Sequence, residues 1–216
     1  MKQIKFKFIG ESPLLMHNNR LANPLDPYSI EMGKKSGKRK KTIEDIKELA
    51  RIEWEGGLYI YDGEVKIPVR VINKTMERGA TKQKAGVLWK TGCAISEDFC
   101  PLSYSGKKIS VSNTGYIPNQ ELDEFYDKFS FQSPVRVGQA MILRTRPIFK
   151  TWELCATVDF DPTIINRETI IQAAVDAGRL VGFGDWRIEK GGGYGRFRVE
   201  VFDNIEQRPL RKLRST

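Results

Sequence analysis

The sequence predicts an α+β fold: a four-stranded antiparallel sheet with two helices covering one face, enlarged by insertions. Three observations carry that expectation. The chain opens on a strictly alternating segment, with Ile4, Phe6 and Phe8 set against Lys5 and Lys7. A second alternating segment lies near its end, with Phe197, Val199 and Val201 set against Arg196, Arg198 and Glu200. Between them, two stretches place apolar residues at helical spacing. Apolar residues make up 40% of the 216 residues and charged ones 29%, the composition of a folded domain rather than a disordered chain. The length suits one domain, residues 1–216, with elaborated insertions.

The opening segment is a half-buried strand. After ESPLLMHNN the chain passes Pro24 and Pro27 into KKSGKRKK, residues 34–41, read as a flexible solvated loop. Thr42 with Glu44 and Asp45 marks a helix start, and Ile46, Leu49 and Trp54 continue a helix over 42–54. Loop and helix together form an insertion over 18–56. The unit LYIYDGEVKIP is a hairpin, because Asp62-Gly63 tolerates the positive φ of a type I′ turn. Pro68 then begins a second helix with Val69, Ile72 and Met76 along one face.

Residues 85–135 show no strong period and read as an irregular insertion of small strands and loops, in which ELDEFYD forms an exposed helix face. The run QAMILRTRPIFKTWELCATVDF then reads as two strands turning at Lys150-Thr151. Pairing Phe149 with Trp152 puts Met141, Leu143, Thr145 and Pro147 on the core face with Leu154, Ala156, Val158 and Phe160. It leaves Arg144 and Arg146 on the opposite face beside Cys155 and Thr157. Asn166 caps a helix through Ile170, Ile171, Ala174 and Val175 toward Leu180. Trp54, Trp89 and Trp152 read as core or interface residues rather than base platforms by their apolar neighbours. Without insertions the order is strand, helix, hairpin, helix, strand, which is the ferredoxin-like or RRM-like arrangement. Its open sheet face is free to meet single-stranded bases and phosphates.

A formal charge of +9, from 36 Lys and Arg against 27 Asp and Glu, favours a polyanionic partner. No apolar run approaches the ~18 residues of a membrane span, and the opening lacks a signal-peptide core, so no membrane partner is expected. Three cysteines without a CxxC pair, and a single histidine, argue against a disulfide framework or a zinc site and for a reducing, cytoplasmic compartment.

The densest chemical signal is GFGDWRIEKGGGYGRF. Six glycines fall between Gly182 and Gly195, interleaved with Asp185, Trp186, Arg187, Lys190 and Tyr194 and followed by Arg196. Glycines without Cβ let amides approach phosphate, here Gly191, Gly192 and Gly193. The cations supply charge, and Trp186 or Tyr194 a stacking surface. It is not a Walker A loop, since GxxxxGKS/T is absent and the glycines precede a strand, so nucleotide hydrolysis and a cofactor are not expected. Lys34, Lys35, Lys38, Arg39, Lys40 and Lys41 read as sequence-independent phosphate contacts, and the basic tail 204–216, with RPLRKLR, extends that surface.

A helix, this loop and a final strand in a ferredoxin-like domain resemble the RAMP superfamily, the RRM-like proteins of CRISPR effector complexes that bind or process guide RNA. The resemblance covers the first strand and residues 139–202. PLLMHNN and GDWR…GGGYGRF also resemble phage and prophage proteins, which points to a phage-encoded relative. The resemblance implies a protein that grips single-stranded RNA or DNA along its backbone, with Gly191 to Arg196 touching phosphates; the strand alternation places Arg144, Arg146 and Arg198 on the sheet face beside them. The resemblance further implies polymerisation along the strand, as a homo-oligomer or larger nucleoprotein complex. Two alternatives stand beside this binding role. One is a RAMP-type endoribonuclease with His17 as general acid or base. The other is a non-enzymatic protein-interaction or structural subunit of phage origin.

Overall fold

A computed structural model describes residues 1–112 and 120–202. The basic tail 204–216 and part of the 85–135 insertion lie outside the described residues. Among the described residues the fold is α+β, with six α-helices and antiparallel sheets. Among the described residues no helix is long and apolar enough to cross a membrane.

The elements in chain order are strands β1 (Lys2–Gly10) and β2 (Leu14–Leu15), helices α1 (Pro27–Ser36) and α2 (Ile43–Gly57), strands β3 (Ile60–Tyr61) and β4 (Glu64–Pro68), and helices α3 (Val69–Lys82) and α4 (Gly86–Gly92). Strands β5 (Cys93–Ile95), β6 (Phe99–Pro101) and β7 (Ser103–Tyr104) precede helix α5 (Asp123–Phe129). Strands β8 (Ser130–Val137), β9 (Ala140–Phe149) and β10 (Trp152–Phe160), helix α6 (Arg167–Asp176) and strand β11 (Phe197–Phe202) complete the described chain.

The main sheet has the order β11-β1-β10-β5, with β7 also on β10, and its registered pairs are antiparallel. Phe6 stands opposite Ala156 and Val201, and Phe8 opposite Leu154 and Val199, so one face is apolar. Ile72, Met76 and Ala80 of α3 and Ile170, Ala173 and Ala174 of α6 are fully buried in the core built on that face. Trp54, Trp89 and Trp152 lie in it too, each indole N–H bonded: to the Phe129 carbonyl at 2.9 Å, the Asn73 carboxamide at 2.8 Å and the Ser12 carbonyl at 2.8 Å.

Several local signals are realised as read. Thr42 and Asp45 form a capping box at α2, Asp62 and Gly63 take φ of 50° and 77° between β3 and β4, and Asn166 accepts from the Thr169 amide at α6. The exposed face of ELDEFYD is also found, with Phe125 and Phe129 buried beneath it.

Two expectations are corrected. The run 139–160 is not a hairpin. β9 pairs with β8 from Ala140 to Pro147 and with β2 at Ile148 and Phe149, whereas β10 enters the main sheet. The chain reverses instead at Gly138-Gln139, where Gly138 supplies a φ of +60° that Lys150-Thr151 does not match. Leu154, Ala156, Val158 and Phe160 are therefore buried as expected, and so are Thr145 and Pro147, but Met141 and Leu143 are exposed on the β8–β9 ribbon. The sheet position beside β10 is filled by β5 and β7, so the 85–135 segment contributes main-sheet strands.

The basic stretch is not a loop throughout either. Asp26 caps α1 by accepting from the Tyr28 amide, Pro27 fits the first turn, and Lys34 and Lys35 lie in that helix. Lys34, Lys35 and Lys38 are each 2.5 Å from a carboxylate, those of Glu31, Glu48 and Asp45. Arg39, Lys40 and Lys41 remain exposed.

Candidate functional site

The glycine loop is a buckle between α6 and β11. Its ends are bonded to each other, Phe183 N–H to the Gly195 carbonyl at 2.8 Å. Its flanks are bonded to the connector after β1, Gly195 N–H to Pro13 and Asp185 N–H to Leu15, both at 2.8 Å. Phe183 is buried and stacked on Phe197, with ring centroids 4.6 Å apart. A Cβ on Gly184 would lie 2.2 Å from the Leu15 carbonyl, and one on Gly195 1.9 Å from that of Phe183. Close passage of chain against chain thus requires these glycines.

The loop amides turn inward as well. Gly191 donates to Ile188, Gly192 to Arg187 and Tyr194 to Trp186. That corrects the reading of Gly191 to Gly193 as an open amide cradle, since two of the three amides are used within the chain. Trp186, at a φ of +46°, lies 5.8 Å from Tyr194, ring to ring, and keeps an exposed edge. Lys190 and Arg196 are exposed.

Arg144 and Arg146 do not flank Cys155 and Thr157. Both project from β9 into ion pairs, because that strand belongs to another sheet. The Arg144 guanidinium is 2.8 Å from buried Glu53, whose second oxygen accepts the Thr145 amide at 2.8 Å. Arg146 is paired with Asp185. Arg198 does lie on the open face of the main sheet, 3.6 Å from Glu200, beside a Lys7–Glu153 pair at 2.8 Å. That face alternates in sign, and its mixed charge weakens it as a platform for a polyanion.

The loop, the segment after β2 and α3 enclose a cleft of about 470 Å³. Its floor is apolar, with Leu14, Met16, Leu154 and Phe183. Its rim carries Arg70, Lys74 and Arg78 of α3, Arg187 of the loop, and His17, against the acidic Asp185. The three α3 cations recur every fourth residue and form one stripe with steps of ~6 Å along the helix. The sequence contained this signal in RVINKTMER, opposite the apolar positions by which the helix was recognised.

Arg78 and Arg187 share Glu189. Burial raises the pKa of that carboxyl, but the two guanidinium groups more than offset this and hold it below its ordinary value. Lys74 is 2.9 Å from Glu77. His17 keeps an exposed edge at the rim while the rest of the ring is enclosed. That burial, with Arg146 and Arg144 acting in the same direction and Asp185 and Glu53 against it, lowers its pKa below 6.5. The Tyr59 hydroxyl, held protonated by burial, donates to the His17 carbonyl at 3.2 Å and fixes the backbone there. A second pocket of about 440 Å³ shares Asn19 and Arg70 with the first, so the two lie side by side along the surface.

His17 and Arg187 are thus brought together. The cations of 34–41, Lys190, Arg196 and Arg198 line neither pocket. No protein-family model matches the chain, and neither does any curated protein.

Proposed function

We propose that this protein binds single-stranded nucleic acid, RNA or DNA, with successive phosphates laid along Arg70, Lys74 and Arg78 and against Arg187. The observation that carries the reading is the convergence of these four cations and His17 on one groove whose floor is apolar. Three of them sit on a helix at a step comparable to the separation of phosphates along an extended strand. A groove with a basic rim and an apolar floor suits a sugar–phosphate chain with unstacked bases better than a duplex.

The fold reading belongs with this proposal. The series β1-α3-β5-β10-α6-β11 follows the strand–helix–strand–strand–helix–strand order of a ferredoxin-like domain, with the glycine loop between second helix and last strand. That order supports kinship with the RRM-like RAMP proteins.

The test is fluorescence anisotropy of an unstructured labelled oligonucleotide across a salt series, for the wild type and for the Arg70→Ala/Lys74→Ala/Arg187→Ala variant. Each lost phosphate contact lowers the salt slope by ~0.7, so the triple variant should lose about 2 units of slope along with affinity. Unchanged slope and affinity in a folded variant would remove the groove as the binding site. A second reading, RNA cleavage, is favoured by His17 alone: a neutral imidazole at the rim of the same groove can accept a 2′-hydroxyl proton. Cleavage of labelled RNA that disappears with His17→Ala, and spares an all-deoxy strand, would establish it.

A further inference from the structure

We infer that the Arg70 end of the groove is a nucleobase subsite, with Tyr61 as its stacking platform and Asn19 reading the base edge. The inference rests on the proposed binding of a single strand. Tyr61 ends β3, just before the Asp62-Gly63 turn, and its ring lines the second pocket. One side of the ring is backed by Phe99 of β6, with centroids 3.9 Å apart and planes at 32°. Phe99 is held in the same small sheet, in register with Pro68, and the Asp98 carbonyl before it accepts the Val69 amide at 2.9 Å. The platform is therefore rigid although it lies at the surface, where Phe99 is 38% exposed. A half-buried aromatic backed by Phe99 and bordering a pocket that also holds Arg70 suits stacking of one splayed base.

The polar groups of this pocket sort by whether they are already used. Asn18 donates to the Leu58 carbonyl at 2.9 Å and accepts the Arg20 amide at 3.1 Å, and Arg20 is 3.0 Å from Asp26. These three hold the turn together. The exposed Asn19 carboxamide makes no side-chain hydrogen bond among the described residues, and it offers a donor beside an acceptor, the pattern that pairs with a base edge. Arg70 lines both pockets and would neutralise the phosphate linking the stacked nucleotide to the strand along α3.

The experiment compares two probes of equal length at one salt concentration, an unstructured DNA strand and a fully abasic deoxyribose-phosphate strand. Tyr61→Leu keeps an apolar cover on Phe99 but removes the ring, Tyr61→Phe keeps the ring, and Asn19→Ala removes the carboxamide. Tyr61→Leu should weaken binding of the base-bearing strand about ten-fold, while Tyr61→Phe stays near wild type and the abasic strand is held equally by all. Asn19→Ala should narrow the preference among homopolymers of the four bases. Equal affinity of wild type and Tyr61→Leu for the base-bearing strand would overturn the subsite. So would equal losses on both probes, or an unchanged homopolymer preference in Asn19→Ala. In those cases wild-type binding that still depends on Arg70 and Lys74 leaves the groove standing. A wild type that binds neither probe removes the groove and the subsite together.

Discussion

Replacing Gly184, Gly191 and Gly193 by alanine, one at a time, separates what the glycine loop needs for packing from what it offers a ligand. Gly193 has an ordinary φ and open space around its missing Cβ, so alanine there should change stability by no more than about 0.5 kcal/mol. Gly191 sits at a φ of +77° but also in open space, so alanine incurs only the left-handed backbone strain, about 1 kcal/mol. Gly184 combines the same φ with a Cβ position 2.2 Å from the Leu15 carbonyl. There the methyl group must push the loop off the connector and lose the Asp185–Leu15 hydrogen bond, which adds about 1 kcal/mol, and loosen Phe183 in the core, which adds another 1 kcal/mol or so. The total near 3 kcal/mol corresponds to a midpoint about 1 M lower in urea, followed by tryptophan fluorescence. If Gly184→Ala unfolds at the same urea concentration as Gly191→Ala, the packing argument is wrong. If Gly193→Ala keeps its stability but loses oligonucleotide affinity, the loop acts as an amide cradle after all.

The sole histidine gives a clean NMR titration, and His17 should titrate below 6.5 in the free protein and higher once a polyanion occupies the groove. Its folded-state pKa lies below the unfolded value, so its contribution to stability is complete above pH 6.5 and falls away as pH drops through the folded pKa. Glu53→Ala strands both the Arg144 guanidinium and the buried Thr145 amide. It should cost about 2–3 kcal/mol, seen as a melting temperature lower by about 6–9 °C, and a shift under 2 °C would show that the pair contributes little. Thr42→Ala removes half of the capping box at α2 and should cost about 1 kcal/mol, or about 3 °C by thermal circular dichroism.

What was legible from residues alone follows the range of the interaction. A capping box, an Asp-Gly turn or an alternating Phe-Lys run is decided within a few residues, and α2, the β3–β4 hairpin, β1 and β11 stand where those signals lie. Alternation says that a strand exists and which side chains share a face, but not which neighbour it takes. Two consecutive alternating runs around Lys150-Thr151 therefore suggested a hairpin, although the turn geometry belonged to Gly138. Pro24 and Pro27 mark a turn into a basic loop by composition, but Pro27 after the Asp26 cap starts α1. In the site, Arg187 and His17 are each legible in the sequence, yet their meeting depends on the connector after β1 passing under the loop. The α3 stripe lies on the solvent side of a helix whose sequence signal comes from its buried side, and charges on an exposed face do not by themselves mark a groove.

The partners of β1 have a temporal consequence. Gln3 and Asp159, joined across β1 and β10 at 2.6 Å, are 156 positions apart, and β11 comes later still. A ribosome adding ~5–20 residues per second leaves the first strand without either neighbour for roughly eight to thirty seconds. Throughout that interval Ile4, Phe6 and Phe8 form a nascent apolar ridge with both hydrogen-bonding edges bare, the kind of segment that chaperones hold and that aggregates when they do not. Closure of the central sheet is a late event in the life of each chain, and its rate is governed by that long return.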